Sequence, residues 1–549
     1  MARLTVADLE ARDNSASASP LPTIKVGMST CGMAAGAEPV FAALGEEVKS
    51  RSLDWRVART GCAGMCSMEP LVEVTAPGRP AVMYGEVTPE FARTLVVALA
   101  EGAPLPAENR VPGIADLARV AGEPVAGEGG PRQYRIVMRN CGVIDPEEID
   151  EYLDRDGYKA LAKVLSTMTP EQVIEELKVA GLRGRGGAGF PAWLKWKLTR
   201  ESQGEEHLIV CNGDEGDPGA YMDRSVLEGD PHAVLEGMII GGYVIGAKNG
   251  FFYIRAEYPL AITRIEKAIR QARAAGLLGN NILGTDFSFN VEVRLGAGAF
   301  VCGEETALIA SVEGRRGTPS PRPPYPSVKG LWGQPTMINN VESLANMASI
   351  MLRGGEWFAG IGMGKSTGTK VFAVTGKVKH AGLVEIPMGV TLREVVEGIC
   401  GGSATGSPIK AVQTGGPSGG LIPARELDTP ITYAHLQKLG SYMGSGGMIV
   451  MDETDDLVEL SRFYLGFCVD ESCGKCAPCR IGGTQMLRLL DKIAAGKGTE
   501  DDIATIKRLA RAMQKASLCG LGQGAPSPIL SALRYFGPEF RGRLVSDNN

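Results

Sequence analysis

No run of eighteen apolar residues occurs in this chain, so no transmembrane helix is predicted. The first residues, MARLTVADLEARDNSASASP, contain no apolar secretion core either, which predicts a cytoplasmic protein that meets membrane only through partners. Positive charge is not in excess. Lys and Arg number 57 against 63 Asp and Glu, a net charge of −6 with no basic stripe, which argues against a nucleic-acid partner. Without a signal sequence, the twelve cysteines, several at tight C-x-x-C spacing, read as metal ligands and not as disulfides. What is present is ordinary globular material. The 549 residues, 44% of them hydrophobic, suffice for several cores in roughly three or four domains. Glycine is abundant, 73 residues, and concentrates in a few loops that carry the chemistry.

The chain is organised around Leu177–Trp196, LKVAGLRGRGGAGFPAWLKW. Glycine is the residue for backbone that turns sharply or approaches a ligand closely. Backbone N–H groups in such a loop cradle phosphate, and a neighbouring Arg or Lys adds charge. Gly184, Gly186 and Gly189 read G-x-G-x-x-G, but the dinucleotide fold places that motif directly after a strand. Here Val173, Ile174, Leu177 and Ala180 recur at helical spacing just before it. A helix is therefore predicted to run into the loop, against the usual Rossmann arrangement. Taken alone, the loop reads equally well as a phosphate cradle or as a tight structural turn.

Two further loops extend the pattern. LIVCNGDEGDPGAYMDR, residues 208–224, is a strand ending in Asn212, Asp214, Glu215 and Asp217. RLGAGAFVCGEETALIASVEG, residues 294–314, is a strand, a glycine turn, then Glu304 and Glu305 opening a helix, where acidic residues also favour the helix dipole. Near the other end, ESCGKCAPCRIG places Cys473, Cys476 and Cys479 at C-x2-C-x2-C spacing, and SLCGLGQGAP supplies Cys519 forty positions on. One loop plus one remote cysteine suits a [4Fe–4S] cube, whereas zinc is the alternative for any C-x-x-C pair. Cys468, just outside this motif, reads as structural, as do the isolated Cys141 and Cys400.

GLRGRGGAGFP, CGEETALI and ESCGKCAPCRIG together resemble the NADH-oxidising flavoprotein subunit of respiratory complex I. The same subunit type serves soluble NAD-linked or bifurcating hydrogenases and formate dehydrogenases. The resemblance covers roughly residues 135–535. It implies FMN, NAD(H) and a [4Fe–4S] cluster as cofactors, with hydride transfer from nicotinamide to flavin and no catalytic acid, base or nucleophile. It places Gly184, Arg185, Gly186 and Gly187 at the FMN phosphate with Lys195 nearby, and Asn212, Asp214 and Glu215 along the ribityl chain and ring edge. Gly303, Glu304 and Glu305 would lie beside the isoalloxazine and nicotinamide rings, and Asn339 and Asn340 would close the site. One of these two asparagines reads equally well as a helix N-cap. Phe190 and Tyr325 are candidates to stack on adenine or, alternatively, plain packing residues. Arg322 would meet the pyrophosphate. Phe300 stands where relatives carry tyrosine.

The expected architecture is α/β and multidomain. Residues 1–22 are predicted flexible, and 23–102 form a thioredoxin-like unit of the [2Fe–2S] ferredoxin type, with Cys31, Cys62 and Cys66. The related pattern is C-x4-C then C-x3-C, and Gly36 stands at the second position. Three cysteines imply either a cluster with a substitute ligand or, as the favoured expectation, a domain that has lost it. Residues 103–133 read as a linker, 134–360 as the FMN- and NADH-binding domain, 365–450 as a β-grasp, SLBB-like domain, and 451–549 as a helical bundle carrying the cube. The paired C-x2-C-x2-C-x3-C motifs that extend many bifurcating relatives do not occur before Asn549, so electrons are expected to leave the single cube into a partner. The partners implied are a small thioredoxin-like [2Fe–2S] subunit, a catalytic subunit of hydrogenase or formate dehydrogenase type, and ferredoxin. A membrane-associated NADH:quinone oxidoreductase is the alternative setting. Acidic residues in the pocket lean toward NAD over NADP.

Overall fold

Thr23–Gly27, a largely buried five-residue strand, is the centre of the first folded unit in the computed structural model, which describes residues 3–12, 21–120 and 133–545. It pairs parallel with Arg56–Thr60 and antiparallel with Val72–Thr75; Val82–Tyr84 and Arg110–Val111 complete a five-stranded sheet. Helices Ala37–Ser50 and Pro89–Ala100 bury Val40, Leu44, Leu95 and Leu99 against it. Thr88 caps the second helix by accepting the Phe91 N–H, and Pro89 follows at the first helical position, where its missing N–H costs nothing.

Two expectations about connecting segments need correction. Within the supposedly flexible N-terminus, residues 3–12 are docked. Thr5 caps the helix Val6–Glu10, Leu9 is buried, and the Leu4 N–H donates to the Ala275 carbonyl at 2.8 Å. The described part of the 103–133 segment supplies the edge strand Arg110–Val111, a short helix at Ile114–Leu117, and a strand, Ala118–Val120, parallel to Gln133–Arg135. Residues 1–2, 13–20 and 121–132 lie outside the described residues.

The central domain carries a four-stranded parallel sheet in the order Asn290–Gly296, Asn249–Arg255, Leu208–Gly213, Thr336–Asn340. From Leu208–Gly213 the chain winds outward to one side, then returns with Thr336–Asn340 on the other. The strand order therefore reverses between these two strands, and in open α/β sheets ligands bind at the carboxyl ends of such a switch. Asn212, Asp214, Asn339 and Asn340 stand at those ends. The helix Pro231–Ile245 is apolar on nearly every face and is buried accordingly. As predicted, a helix, Pro170–Ala180, precedes the glycine-rich loop; a Thr169–Gln172 capping box starts it and Gly181, at φ +66°, ends it.

The β-grasp domain is a mixed five-stranded sheet, Gly382–Pro387, Thr369–Gly376, Gly447–Asp452, Ile409–Thr414 and Leu421–Pro423. The last domain packs helices Leu457–Asp470, Gly483–Ala494, Glu500–Ala516 and Ser527–Tyr535 around Leu465, Met486, Leu490, Ile506 and Met513. The flavin-type and β-grasp domains are welded by a buried ion pair. Lys370, fully buried, donates to Glu342, which also accepts the Val371 N–H at 3.0 Å. Removing one partner strands the other charge out of water. Lys370→Met is expected to cost about 3–5 kcal/mol, read as a lower denaturation midpoint. The double variant with Glu342→Gln should lose less than the two single losses added; strict additivity would show that the pair is not coupled.

Candidate functional site

The glycine-rich loop is a closed turn. The Gly184 N–H donates to the Phe190 carbonyl at 2.8 Å, and the Ala192 N–H to the Leu182 carbonyl at 2.9 Å. It is wedged between the switch-point strands and the β-grasp domain. A β-carbon at Gly186 would lie 3.0 Å from that of Asn340, and one at Gly189 (φ +62°) 2.7 Å from the Tyr433 ring. Gly187, at φ +114°, pairs with Gly444. Only glycine fits that conformation and spacing. Arg183 stacks on Tyr433, 4.0 Å from its centroid, and donates to the Gly189 carbonyl at 2.6 Å; the Tyr433 hydroxyl donates to the Gly184 carbonyl.

Arg185 corrects the reading of its charge. Its guanidinium is 1% exposed and donates to the carbonyls of Thr367, Thr369 and Arg183, while its N–H meets the Ser343 hydroxyl. It is an internal strut and presents no charge to a phosphate. The cation at the mouth of the loop is Lys195, whose Nζ donates to the Ile338 carbonyl at 2.9 Å and stands 3.9 Å from Glu305. Burial lowers its pKa.

The acidic residues divide sharply. Glu304 caps the helix Glu305–Val312, accepting the N–H groups of Thr306 and Ala307 at 2.9 Å, so its carboxylate belongs to the helix. Glu215 turns inward and accepts the Asp223 and Arg224 N–H groups at 3.0 Å, 4% exposed, which corrects its placement at the ring edge. Burial pushes it up to about 7. Asp214 has a fully covered side chain, both carboxylate oxygens lack a hydrogen-bond partner, and Arg255 stands 3.6 Å away. Burial raises it to about 7 as well. Glu305 stays at the cleft, paired to Arg322 at 2.6 Å. Arg322 in turn lies over Tyr325, and both Tyr325 and Phe190 are exposed rings.

Asn212 donates to the Gly303 carbonyl at 2.9 Å and accepts the Asp214 N–H at 3.0 Å, tying two loops together. Asn339 accepts the Trp196 indole N–H at 3.3 Å, joining the third. Asn340 is the N-cap, accepting the Ser343 N–H, and its amide also donates to Asp223. The three loops thus converge on one cleft. Arg183, Tyr433 and Arg255 escape a reading of the sequence. LRGRGG signals an arginine but not which of the two turns inward, and Tyr433 and Arg255 are remote in sequence.

Cys473, Cys476, Cys479 and Cys519 surround one enclosed apolar pocket with Val301, Pro319 and Leu521. Among the described residues no three His, Cys, Asp or Glu side chains close on a single metal ion. Four thiols spread around a common space suit a cube, which offers one iron per ligand, better than zinc. Val301 belongs to the same turn as Gly303, so the cube pocket adjoins the flavin-side loop. The Phe300 N–H donates to Glu471, the Phe300 ring meets Phe467 edge-on, and Lys475 donates to the Pro319 carbonyl. Phe300 therefore sits in an apolar contact that needs no hydroxyl. Cys141, Cys400 and Cys468 are buried and do not line this pocket.

Cys31, Cys62 and Cys66 also come together. Cys62 and Cys66 sulfurs are 4.0 Å apart, and Cys66 hydrogen-bonds Cys31. Gly36, the supposed missing position, starts the helix Ala37–Ser50 at φ +102°, and a β-carbon there meets no atom within 4 Å. Glu69, 8% exposed, lies nearby: a β-carbon added at Gly32, the residue after Cys31, would come 3.1 Å from its carboxylate.

The buried acids of the cleft carry a pH signature. A carboxyl whose folded pKa lies above its unfolded value stabilises fully below the unfolded pKa and loses that contribution as pH rises through the folded one. Asp214, raised from 3.8 to about 7, fits this pattern. In FMN-free protein, Asp214→Asn is expected to gain on wild type between pH 4 and 7, by at most about 4 kcal/mol. Denaturation midpoints across that range check it, and a constant difference would mean that Asp214 titrates normally.

Residues 177–349 match the family described as the Nuo51 FMN-binding domain, 371–421 the SLBB domain, and 459–543 the NADH-ubiquinone oxidoreductase-F iron-sulfur binding region. The chain is 54% identical over 413 residues to the NADP-reducing hydrogenase subunit HndC of Solidesulfovibrio fructosivorans, covering 75% of this chain and 84% of that one. It is 40% identical over 412 residues to a subunit of the NADH-quinone oxidoreductase of Escherichia coli (strain K12), covering 75% of this chain and 93% of that one. A crystal structure of NAD+-reducing [NiFe]-hydrogenase in the H2-reduced state superposes with a TM-score of 0.67 at 29% identity, over 99% of this chain and 88% of that one. With its three loops at the sheet switch point and four cysteines behind them, the chain belongs to the family of the FMN- and [4Fe–4S]-carrying flavoprotein subunit of complex I and its hydrogenase-linked relatives.

Proposed function

We propose that this chain is the diaphorase subunit of a soluble cytoplasmic redox complex, exchanging electrons between NAD(H) and a partner that carries a hydrogenase- or formate dehydrogenase-type centre. The observation that carries the reading is the adjacency of cleft and cube pocket through one turn, Phe300–Gly303, whose two ends face the two sites. FMN, when bound, accepts a hydride from nicotinamide and passes electrons on singly, chemistry that belongs to the cofactor. The chain's own part is to bind, orient and exclude water. The Gly184–Gly187 backbone and Lys195 would hold the FMN phosphate, Asn212 and Asp214 the ribityl side, and Glu305 with Arg322 the nicotinamide nucleotide. Phe190 and Tyr325, both uncovered, are the adenine platforms.

The 54% identity to a hydrogenase subunit supports the soluble setting, and the fused thioredoxin-like unit supports a small [2Fe–2S] subunit or ferredoxin among the partners. The match to the Escherichia coli oxidoreductase chain, over 93% of its length, favours a second reading, a membrane-associated NADH:quinone oxidoreductase. Co-purification of the activity with membranes would decide for it.

Glu305→Gln is expected to lower kcat/KM for NADH with an artificial acceptor by tenfold or more, about 1.4 kcal/mol, with FMN content unchanged. Unchanged kinetics would remove Glu305 from the nicotinamide site. Cys519→Ala is expected to retain NADH:ferricyanide activity and FMN while losing the cube's EPR signal and transfer to the partner. A retained cube signal would exclude Cys519 as its ligand.

A further inference from the structure

The thioredoxin-like unit presents a second thiol site, and its contents are specific. Each of the three sulfurs meets a donor. Arg224 Nη2 stands 3.7 Å from Cys31, the Gly64 N–H donates to Cys62 at 3.3 Å, and the Tyr221 hydroxyl contacts Cys66. Hydrogen bonds to sulfur are among the features that tune iron–sulfur clusters. The 4.0 Å between Cys62 and Cys66 is close to the ~3.8 Å edge of a tetrahedron built on metal–thiolate bonds of ~2.3 Å. Two thiols therefore stand at the spacing of ligands to one metal, and Cys31 meets Cys66 from the helix Thr30–Ala34.

The Glu69 carboxylate packs against Gly32, the residue after Cys31. One carboxylate oxygen accepts the Leu71 N–H at 2.9 Å; the other is buried and meets no donor. The carboxylate fills space that two glycines leave open. β-carbons at Gly27 and Gly32 would each come within 3.1 Å of it. A buried carboxylate oxygen without a donor demands a proton or a cation.

We propose that Glu69 is the fourth ligand of a [2Fe–2S] cluster in this unit, with Cys62 and Cys66 on one iron and Cys31 and Glu69 on the other. The carboxylate takes the place that the related pattern gives to a second cysteine beside Cys31, so the missing thiol does not mean a lost cluster. Arg224, which also faces Glu228 at 3.8 Å, adds positive charge at the site's edge.

The test uses the full chain, purified anaerobically, with FMN and the cube as internal controls of folding. Wild type is expected to hold about six irons per FMN, with a [2Fe–2S]-type EPR signal beside that of the cube. Glu69→Gln is expected to lose about two of those irons and the second signal, or to shift its g values and midpoint potential, with FMN and cube unchanged. Glu69→Cys is expected to keep the irons with the g values of an all-thiolate cluster. About four irons in wild type, zinc in place of the second cluster, or an E69Q protein indistinguishable from wild type in iron, g values and potential would each overturn the assignment.

Discussion

Buried glutamates gripping backbone N–H groups are the interaction that fixes the segments around the cleft. Glu385 holds the amides of Ile136, Val137 and Met138, drawing the start of the flavin domain onto the β-grasp sheet. Glu236 holds Tyr158 and Leu161, Glu342 holds Val371 with Lys370, and Glu215 holds Asp223 and Arg224. A carboxylate taken out of water must be met by strong donors, and several N–H groups on one carboxylate meet that demand while immobilising the segment that supplies them. Glu215 does this one residue after Asp214, and Glu342 two residues after Asn340. Two of these anchors therefore sit immediately behind Asp214 and Asn340, at the carboxyl ends of the switch-point strands.

Binding requires backbone fixed before the ligand arrives, because ordering a loop on binding subtracts from affinity. The glycine-rich loop, which by composition is the most flexible stretch of the domain, is clamped from three sides. Arg185 secures it to the 367–369 turn, Arg183 and Tyr433 grip its tip, and Asn340 abuts Gly186. Cations in this loop thus serve its shape, leaving backbone N–H groups and Lys195 as the electropositive surface.

Much of this can be read from the sequence, and the limits are physical. Helix-into-loop before Gly184, the strand ending near Asn212, and the four-cysteine set follow from periodicity and spacing, which the backbone obeys locally. What the sequence does not disclose is the destination of individual side chains. Two nearby arginines and two adjacent glutamates, Arg183 with Arg185 and Glu304 with Glu305, have the same composition on either side. Their fates are set by partners more than a hundred residues away or by the helix that starts between them. Gly36 misleads for a related reason. C-x4-C spacing names a position in sequence, and in the structure that position is the left-handed start of the helix Ala37–Ser50, with no atom within 4 Å of an added β-carbon.

The thioredoxin-like unit is joined to the flavin domain by the same device, and this constrains what its thiols can do. Glu228 accepts the Thr30 N–H at 2.9 Å, one residue before Cys31, and Arg264 donates to the carbonyls of Met28 and Glu228. Arg135 reaches the Ala63 carbonyl between Cys62 and Cys66. Both cysteine-bearing loops are thus held from the flavin-domain side. Glu228 and Arg224 lie on the helix Met222–Gly229, whose first amides Glu215 grips at the cleft. One short helix therefore touches the flavin-side loop at its start and the Cys31 turn along its length. A unit tethered by a linker would leave its cysteines at a variable distance from the flavin site; this one fixes that distance. Fixed spacing is what electron exchange between two centres requires, and the proposed cluster would have it.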